Sequence, residues 1–406
     1  MRILCVLSKF AYGKQQRGEN YDYVHFLPAL ERMGHEISFF DSGDRSSYGD
    51  FSELNAALLT HIDRFRPDVI FCVLMHYEIW LETLDLIRAN SPAAIVNWGT
   101  DDSWKFTQAS RFFAAHVDLH VTTSHMAESA ALSRGLTNVM LSQWAASSGD
   151  FTKPRAAKDC QYEVSFVGNL YGYRHAWISE LRDNGIEVAT FGHGSEGGVV
   201  EAHKIPDIYN SSLISINFSG AGDGGLKGLG SAARQIKART FEVPGSGGFL
   251  LTESAPDLER YFVAGTEIEV FQTPAELIAK VNYFRDHPVE RDRIACAGHR
   301  RTLEHHSYER RFAEILVQLR PVLEGRRNRA WAISVRDLTA QVAQHRAGWA
   351  TAWLRGFLVT PFSLLFGKAR GVRAARRFLY EMSWRVCGEV TYRARGLPGR
   401  LFYGES

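Results

Sequence analysis

The chain has 406 residues, 45% of them apolar and 23% charged, which is enough for two domains and an appendage of ordinary globular composition. Its five scattered cysteines (Cys5, Cys72, Cys160, Cys296, Cys387) contain no CxxC pair, which argues against structural zinc and for a reducing compartment, with the cytoplasm as the expected location. Net charge is only +2, and no stretch reaches the roughly 18 consecutive apolar residues that span a bilayer.

Residues 2–7 read as a buried strand rather than an export signal, because the apolar run stops at Ser8-Lys9. A helix pattern from Tyr21 through Leu30 to Met33 ends at Gly34, and residues 35–41 form a second strand, completing a βαβ unit. The first loop of such a unit lies at the carboxyl ends of the strands, where open α/β sheets bind ligands. The alternation continues with helix 51–65, strand 67–74, helix 79–89, strand 93–98, helix 106–115 and strands 119–124 and 138–142. Asp101 and Asp102 fall just past a strand end, where a carboxylate acts as a general base, binds a hydroxyl or caps the next helix. His76 follows the third strand and suits either a base or a packed core histidine. Residues 146–162, polar and holding Pro154, look like a linker.

The pattern then restarts with strand 162–169, helix 174–184, strand 185–192, helix 203–210 and strand 212–218. A glycine-rich loop at 219–225 leads to a charged helix predicted over 234–244. Strand 248–252, helix 256–262, strand 268–271 and helices 274–287 and 289–303 complete the second α/β repeat. The spacing predicts two doubly wound domains, 1–150 and 160–325, facing a cleft. Gly168, Arg174, Gly192 and Gly194 fall at strand-to-helix turns on one edge of the second sheet, although tight turns alone would explain the glycines. No GxGxxG with an acidic residue about 20 positions later is present, which disfavours a dehydrogenase.

The charged stretch organises the functional reading. Arg234, Lys237 and Thr240 are spaced by three, so one helical face can present them together, with Arg239 beside them. Cations near a helix N-terminus favour a phosphate or diphosphate. Glu242 suits vicinal hydroxyls beside those phosphates, since a carboxylate accepts two hydrogen bonds. A nucleotide diphosphate sugar carries both groups; a surface helix with solvated charges accounts for the same residues. Gly247, in the turn after the helix, joins the donor-binding candidates.

Residues 326–406 hold 15 Lys/Arg against 4 Asp/Glu, with Trp331, Trp349, Trp353, Trp384 and an apolar piece at 357–366. This basic, mainly helical tail suits an anionic membrane surface or a cap packed on the acidic body. No nucleic-acid-binding module is visible, and no nucleic-acid partner is expected.

The segments 164–168 (VSFVG), 235–244 (QIKARTFEVP), 247–253 (GGFLLTE), 257–262 (DLERYF), Glu267-Ile268 and 304–311 (EHHSYERR) together resemble the CgeB-like glycosyltransferases of the GT-B superfamily. The resemblance covers roughly residues 1–320 and implies a GT-B fold of two Rossmann-like domains. It implies transfer of a sugar from a nucleotide-activated donor held by the second domain to a glycan, lipid-linked or protein acceptor against the first. No metal and no cofactor are implied, the nucleotide-diphosphate sugar being a co-substrate. By position Glu242 would grip the donor ribose, and Lys237 and Arg239, with Arg234 behind, would neutralise the diphosphate. Arg234 stands where many retaining relatives carry a second glutamate, eight residues before the first, so the resemblance does not decide between a retaining and an inverting mechanism. An inverting reaction needs a base, for which Asp102, Asp101 and His76 are the candidates. A sugar-nucleotide epimerase and a non-catalytic nucleotide-sugar-binding protein are the competing readings.

Overall fold

The computed structural model describes residues 1–74, 76–221, 233–345 and 348–405. They form two compact units. The first comprises Met1–Thr122, Met126–Leu141 and Ile315–Ser406; the second comprises Thr123–His125 and Ser142–Glu314.

The first unit is built on six parallel strands, β1 (Arg2–Leu7), β2 (Glu36–Asp41), β3 (Val69–Cys72), β4 (Ala94–Gly99), β5 (Leu119–Thr122) and β6 (Val139–Leu141), in the order β2-β1-β3-β4-β5-β6. Residues 3–7 of β1 and the whole of β3 are continuous apolar runs because helices cover both faces of a parallel sheet. Leu4, Cys5 and Val6 of β1 are fully buried. The strand order reverses direction between β1 and β3, which pair in register at Cys5 and Phe71.

The second unit contains β7 (Tyr162–Val167), β8 (Val188–Phe191) and β9 (Ser212–Asn217), then an antiparallel ribbon of β10 (Gly220–Ala221) with β11 (Ala233–Arg234), then β12 (Leu250–Glu253) and β13 (Glu269–Phe271). Its five-stranded parallel sheet runs β13-β12-β9-β7-β8, so its reversal lies between β7 and β9.

Four sequence expectations need correction. The helix expected over 234–244 begins only at Arg239 and ends at Gly245. Arg234 lies in β11, held extended by its pairing with Gly220 and by the Gln235 N–H donating to the Ser219 carbonyl at 3.0 Å. Arg234, Lys237 and Thr240 therefore do not share a helical face. The helix expected over 106–115 starts earlier, at Asp102, and passes through a π-helical turn at Phe106–Ser110. Asp257 adopts a left-handed φ of 64°, which reduces the helix expected over 256–262 to one turn of 3-10 helix at Leu258–Arg260. Residues 146–162 are an ordered strap of the second unit. Buried Arg291 donates to the Arg155, Ser212 and Leu213 carbonyls, and the Asn210 amide donates to the Lys153 carbonyl. The part of the glycine-rich loop from Gly222 to Gly225 lies outside the described residues.

Residues 326–405 take part in the core of the first unit. The Arg326 guanidinium donates to the Ala93 carbonyl and pairs with buried Asp118. Leu338 and Val342 enter the cluster that holds Leu54, Leu58 and Leu84. Tyr392 is fully buried, donates to the Gln108 carbonyl and shares a hydrogen bond of 2.8 Å with Tyr380.

Candidate functional site

In a doubly wound sheet the ligand crevice opens at the carboxyl ends of the two strands where the order reverses. In the second unit these ends are Val167 of β7 and Asn217 of β9. Arg239 joins them: its Nη1 donates to the Val167 carbonyl at 2.8 Å and its Nε to Asn217 Oδ1 at 3.0 Å. The guanidinium also lies over the Phe166 ring at 5.3 Å. Gly168 makes room for it. At φ +153° a side chain there is strained, and a Cβ would stand 2.4 Å from Arg239 Nη1. Gly192, at φ +125°, is needed in turn because its Cβ would meet the Gly168 carbonyl oxygen at 2.4 Å.

Arg174 opens helix Arg174–Asp183 on the same edge and is 2% exposed. Its Nη1 donates to the Asn169 carbonyl, and its Nη2 to the Tyr171 hydroxyl and the Gly220 carbonyl. It lies 4.0 Å from the centre of the Tyr171 ring. Among the described residues its Nε is buried without a hydrogen-bond partner. Burial, followed by the charge of Arg239, pushes the Arg174 guanidinium down to about 10. Neither arginine makes an ion pair among the described residues. Two neighbouring cations of which one is buried, with no carboxylate ion-paired to either among the described residues, form an arrangement that a multiply charged anion would relieve.

Arg234 is engaged elsewhere. Glu253, 2% exposed at the end of β12, pairs with it at 3.2 Å and also accepts from the Ser219 N–H at 2.8 Å and from the Tyr173 hydroxyl. Burial and the Glu253 carboxylate raise the Tyr173 phenol well above its ordinary value. Lys237 is half-buried just ahead of the helix, and its carbonyl accepts from the Thr240 N–H at 2.9 Å. Glu242 is half-buried within the helix. Its charge and that of Arg239 both act on the buried Tyr209 phenol, which burial raises first, Glu242 raises further and Arg239 opposes. Gly194 turns the loop after β8 at φ +79°. Gly247 has a structural reason of its own: at φ +75°, a Cβ would stand 2.5 Å from the Thr152 carbonyl oxygen and 2.7 Å from Pro154 N in the strap.

At the carboxyl edge of the first sheet, the adjacent aspartates diverge. Asp102 points into the core. Its Oδ1 accepts from the Ser110 hydroxyl at 2.5 Å and its Oδ2 lies 2.8 Å from His120 Nε2, both side chains of that pair being fully buried. His120 Nδ1 is 3.3 Å from the Asn97 amide nitrogen, and Asn97 Oδ1 accepts from the Leu74 N–H. Both Asp102 oxygens are thus used inside the fold, which sets it apart from Asp101. Asp101 is half-buried, and its charge helps burial to raise the Asp22 carboxyl to about 7. His76 Nε2 lies 3.0 Å from Lys105 Nζ. Burial, then the charges of Lys105, Arg376 and Arg45, push the imidazole well below its ordinary value. Burial likewise lowers Lys105 to about 8, against the opposing charges of Asp101 and Glu78. Among the described residues no group of three His, Cys, Asp or Glu side chains could hold a metal ion.

Sequence reasoning passed over Asn217, Tyr173 and Glu253. Asn217 and Glu253 each place one polar side chain near the end of an apolar strand, and that was the available signal. The 304–311 segment supports the helix from behind: His306 packs on Phe241 and Phe262 and bonds the Tyr261 carbonyl at 3.0 Å.

Residues 170–317 match the family model described as "Glycosyl transferase-like". No curated protein matches the chain. Solved structures do. Sucrose-phosphate synthase from Thermosynechococcus elongatus superimposes with a TM-score of 0.56 at 9% identity, covering 79% of this chain and 100% of that one. Anabaena HepE in complex with UDP and glucose gives 0.54 at 12% identity, with 79% and 100% covered. A glycosyltransferase from Rickettsia africae gives 0.54 at 12% identity, with 79% and 98% covered. The fold is therefore that of the GT-B glycosyltransferases, two parallel sheets with their helices and a helical C-terminal region. The family match falls on the unit that carries Arg174 and Arg239.

Proposed function

We propose that the chain is a glycosyltransferase that moves a sugar from a nucleoside-diphosphate donor to an acceptor hydroxyl, as a CgeB-like member of the GT-B enzymes. The observation that carries this reading is Arg239 bridging the reversal point of the second sheet beside Arg174, whose buried Nε has no partner among the described residues. A diphosphate supplies the missing acceptors. The neighbours solved with UDP and with UDP-glucose support a nucleotide-sugar donor.

In the reaction the bond between the sugar's anomeric carbon and the diphosphate oxygen breaks, and the acceptor oxygen bonds to that carbon. The departing electron pair stays on the diphosphate, where Arg239 and Arg174 balance it without requiring a metal. Lys237 lies close enough in sequence to add to that charge, and Glu242 serves the donor ribose. The acceptor proton passes to Asp101, the half-buried member of its pair, in an inverting transfer. The acceptor is a glycan, lipid-linked or protein hydroxyl in surface-glycan synthesis, and the place of work is the cytoplasmic face of a membrane.

Calorimetric titration with UDP, GDP, ADP and dTDP tests the donor site. One of them is expected to bind, and Arg239→Ala is expected to abolish the heat. Absence of binding by all four would sink the reading. Mass spectrometry of products from a donor-by-acceptor screen then identifies the sugar and its acceptor.

A further inference from the structure

Helix Trp349–Phe366 has 18 residues and one charge, Arg355. That charge faces the fold: it pairs with Glu405 and lies over the Phe402 ring at 5.6 Å. The opposite face is apolar and open. Trp349, Trp353, Phe357, Leu364 and Leu365 are between 73 and 86% exposed. Positions 349, 353, 357 and 364 recur at helical spacing, so they form one stripe along a helix about 27 Å long.

The next helix, Lys368–Cys387, packs tightly against it. A Cβ on Gly371 would stand 2.4 Å from the Ser363 Cα, and Leu358, Val359, Phe362, Val372 and Leu379 surround Ala375, Leu401 and Phe402. This second helix exposes Lys368, Arg370, Arg373 and Arg377. Residues 338–380 contain seven Lys/Arg and no Asp or Glu. No described helix is long and apolar enough to cross a membrane.

We infer that this helix pair docks the protein on an anionic phospholipid bilayer, with the uncharged stripe of Trp349–Phe366 lying in the headgroup region and the exposed arginines of Lys368–Cys387 on lipid phosphates. The inference gives the membrane reading above a defined surface and is independent of the transfer chemistry. Charge complementarity selects the occupant. A stripe of tryptophan, phenylalanine and leucine beside exposed cations fits an interface that is apolar below and negative above.

The full-length protein is floated with vesicles of phosphatidylcholine alone and of phosphatidylcholine with roughly one third phosphatidylglycerol. It is expected to float with the anionic vesicles at least about tenfold better than with the neutral ones, and less at high salt. Quenching of tryptophan fluorescence by brominated lipid is expected with the anionic vesicles. The combined substitution Trp353→Ser, Phe357→Ser and Leu364→Ser, and separately Arg373→Glu with Arg377→Glu, are each expected to lower flotation about tenfold while nucleotide titration is unchanged. Equal binding to both vesicle types, or none to either, overturns the inference even if neither variant folds. A vesicle-free dimer in sedimentation velocity that the serine substitutions abolish also overturns it, assigning the stripe to a second copy. Failure of nucleotide binding with vesicle binding intact would count against the transferase reading alone.

Discussion

A side chain at Gly168 and the guanidinium of Arg239 compete for one space, since a Cβ on the glycine would stand 2.4 Å from Nη1. Gly168→Ala should therefore push Arg239 off the Val167 carbonyl and lower nucleoside-diphosphate affinity by about ten- to a hundredfold, the worth of one or two hydrogen bonds to a charged group. Arg239→Lys should do the same, because an ammonium cannot span Val167 and Asn217 together. Titration calorimetry measures both; unchanged affinity would place the donor elsewhere.

Asp101→Asn and Asp102→Ala should fail differently. Losing Asp102 leaves His120 and Ser110 buried without their acceptor and should cost about 3–5 kcal/mol of stability in urea unfolding. Turnover per folded molecule should survive. Asp101→Asn should leave stability nearly intact and reduce kcat about a hundred- to ten-thousandfold. The opposite pattern would exchange their roles.

Asp22 gives the first unit a pH signature. Its carboxyl rises from 3.8 to about 7 on folding, through burial first and the charge of Asp101 second. The folded state thus holds this proton more tightly than the unfolded chain. Its contribution is full below about pH 4, declines as pH rises through the window up to about 7, and is gone above it. Asp22→Asn removes the decline. The stability difference between variant and parent should grow by on the order of 4 kcal/mol from pH 4 to pH 8, read from urea midpoints; a constant difference would mean that Asp22 does not titrate in this window.

Gly247→Ala separates structure from binding. With φ at +75° and the strap 2.5 Å from the added carbon, it should cost about 1–3 kcal/mol in unfolding. Nucleotide affinity should stay within about twofold, because the cost falls on packing against Thr152 and Pro154 and not on hydrogen bonds to a charged ligand. A large loss of affinity with normal stability would return Gly247 to the donor set.

Much of the architecture was legible because buried parallel strands write themselves as apolar runs, and Val69–Cys72 or Leu250–Leu251 admit few other readings. What escaped was set by partners distant in sequence. Arg234 looks helical until Gly220 pairs with it, and a two-residue ribbon has no period to detect. The strap looks like a linker because the Arg291 guanidinium that fixes it lies 136 residues from Arg155. Asp101 and Asp102 are chemically identical neighbours, and only the placement of His120 and Ser110 draws one of them inward. Arg239 was legible as a cation, whereas its span from Val167 to Asn217 depends on the strand order of the second sheet. The tail suited two environments, and its composition alone could not divide the residues packed into the core from those left on the surface.

The order in which the two units mature during synthesis follows from how the first unit is assembled. Its sheet is translated early, yet Leu338, Val342 and Tyr392, which close its core, come from the far end of the chain. Residues 142–314 can reach their final structure on the ribosome. The earlier strands must wait with apolar surface uncovered, so chaperone demand during expression should concentrate on the amino-terminal part, and early termination should leave a mature second unit beside an unfinished first.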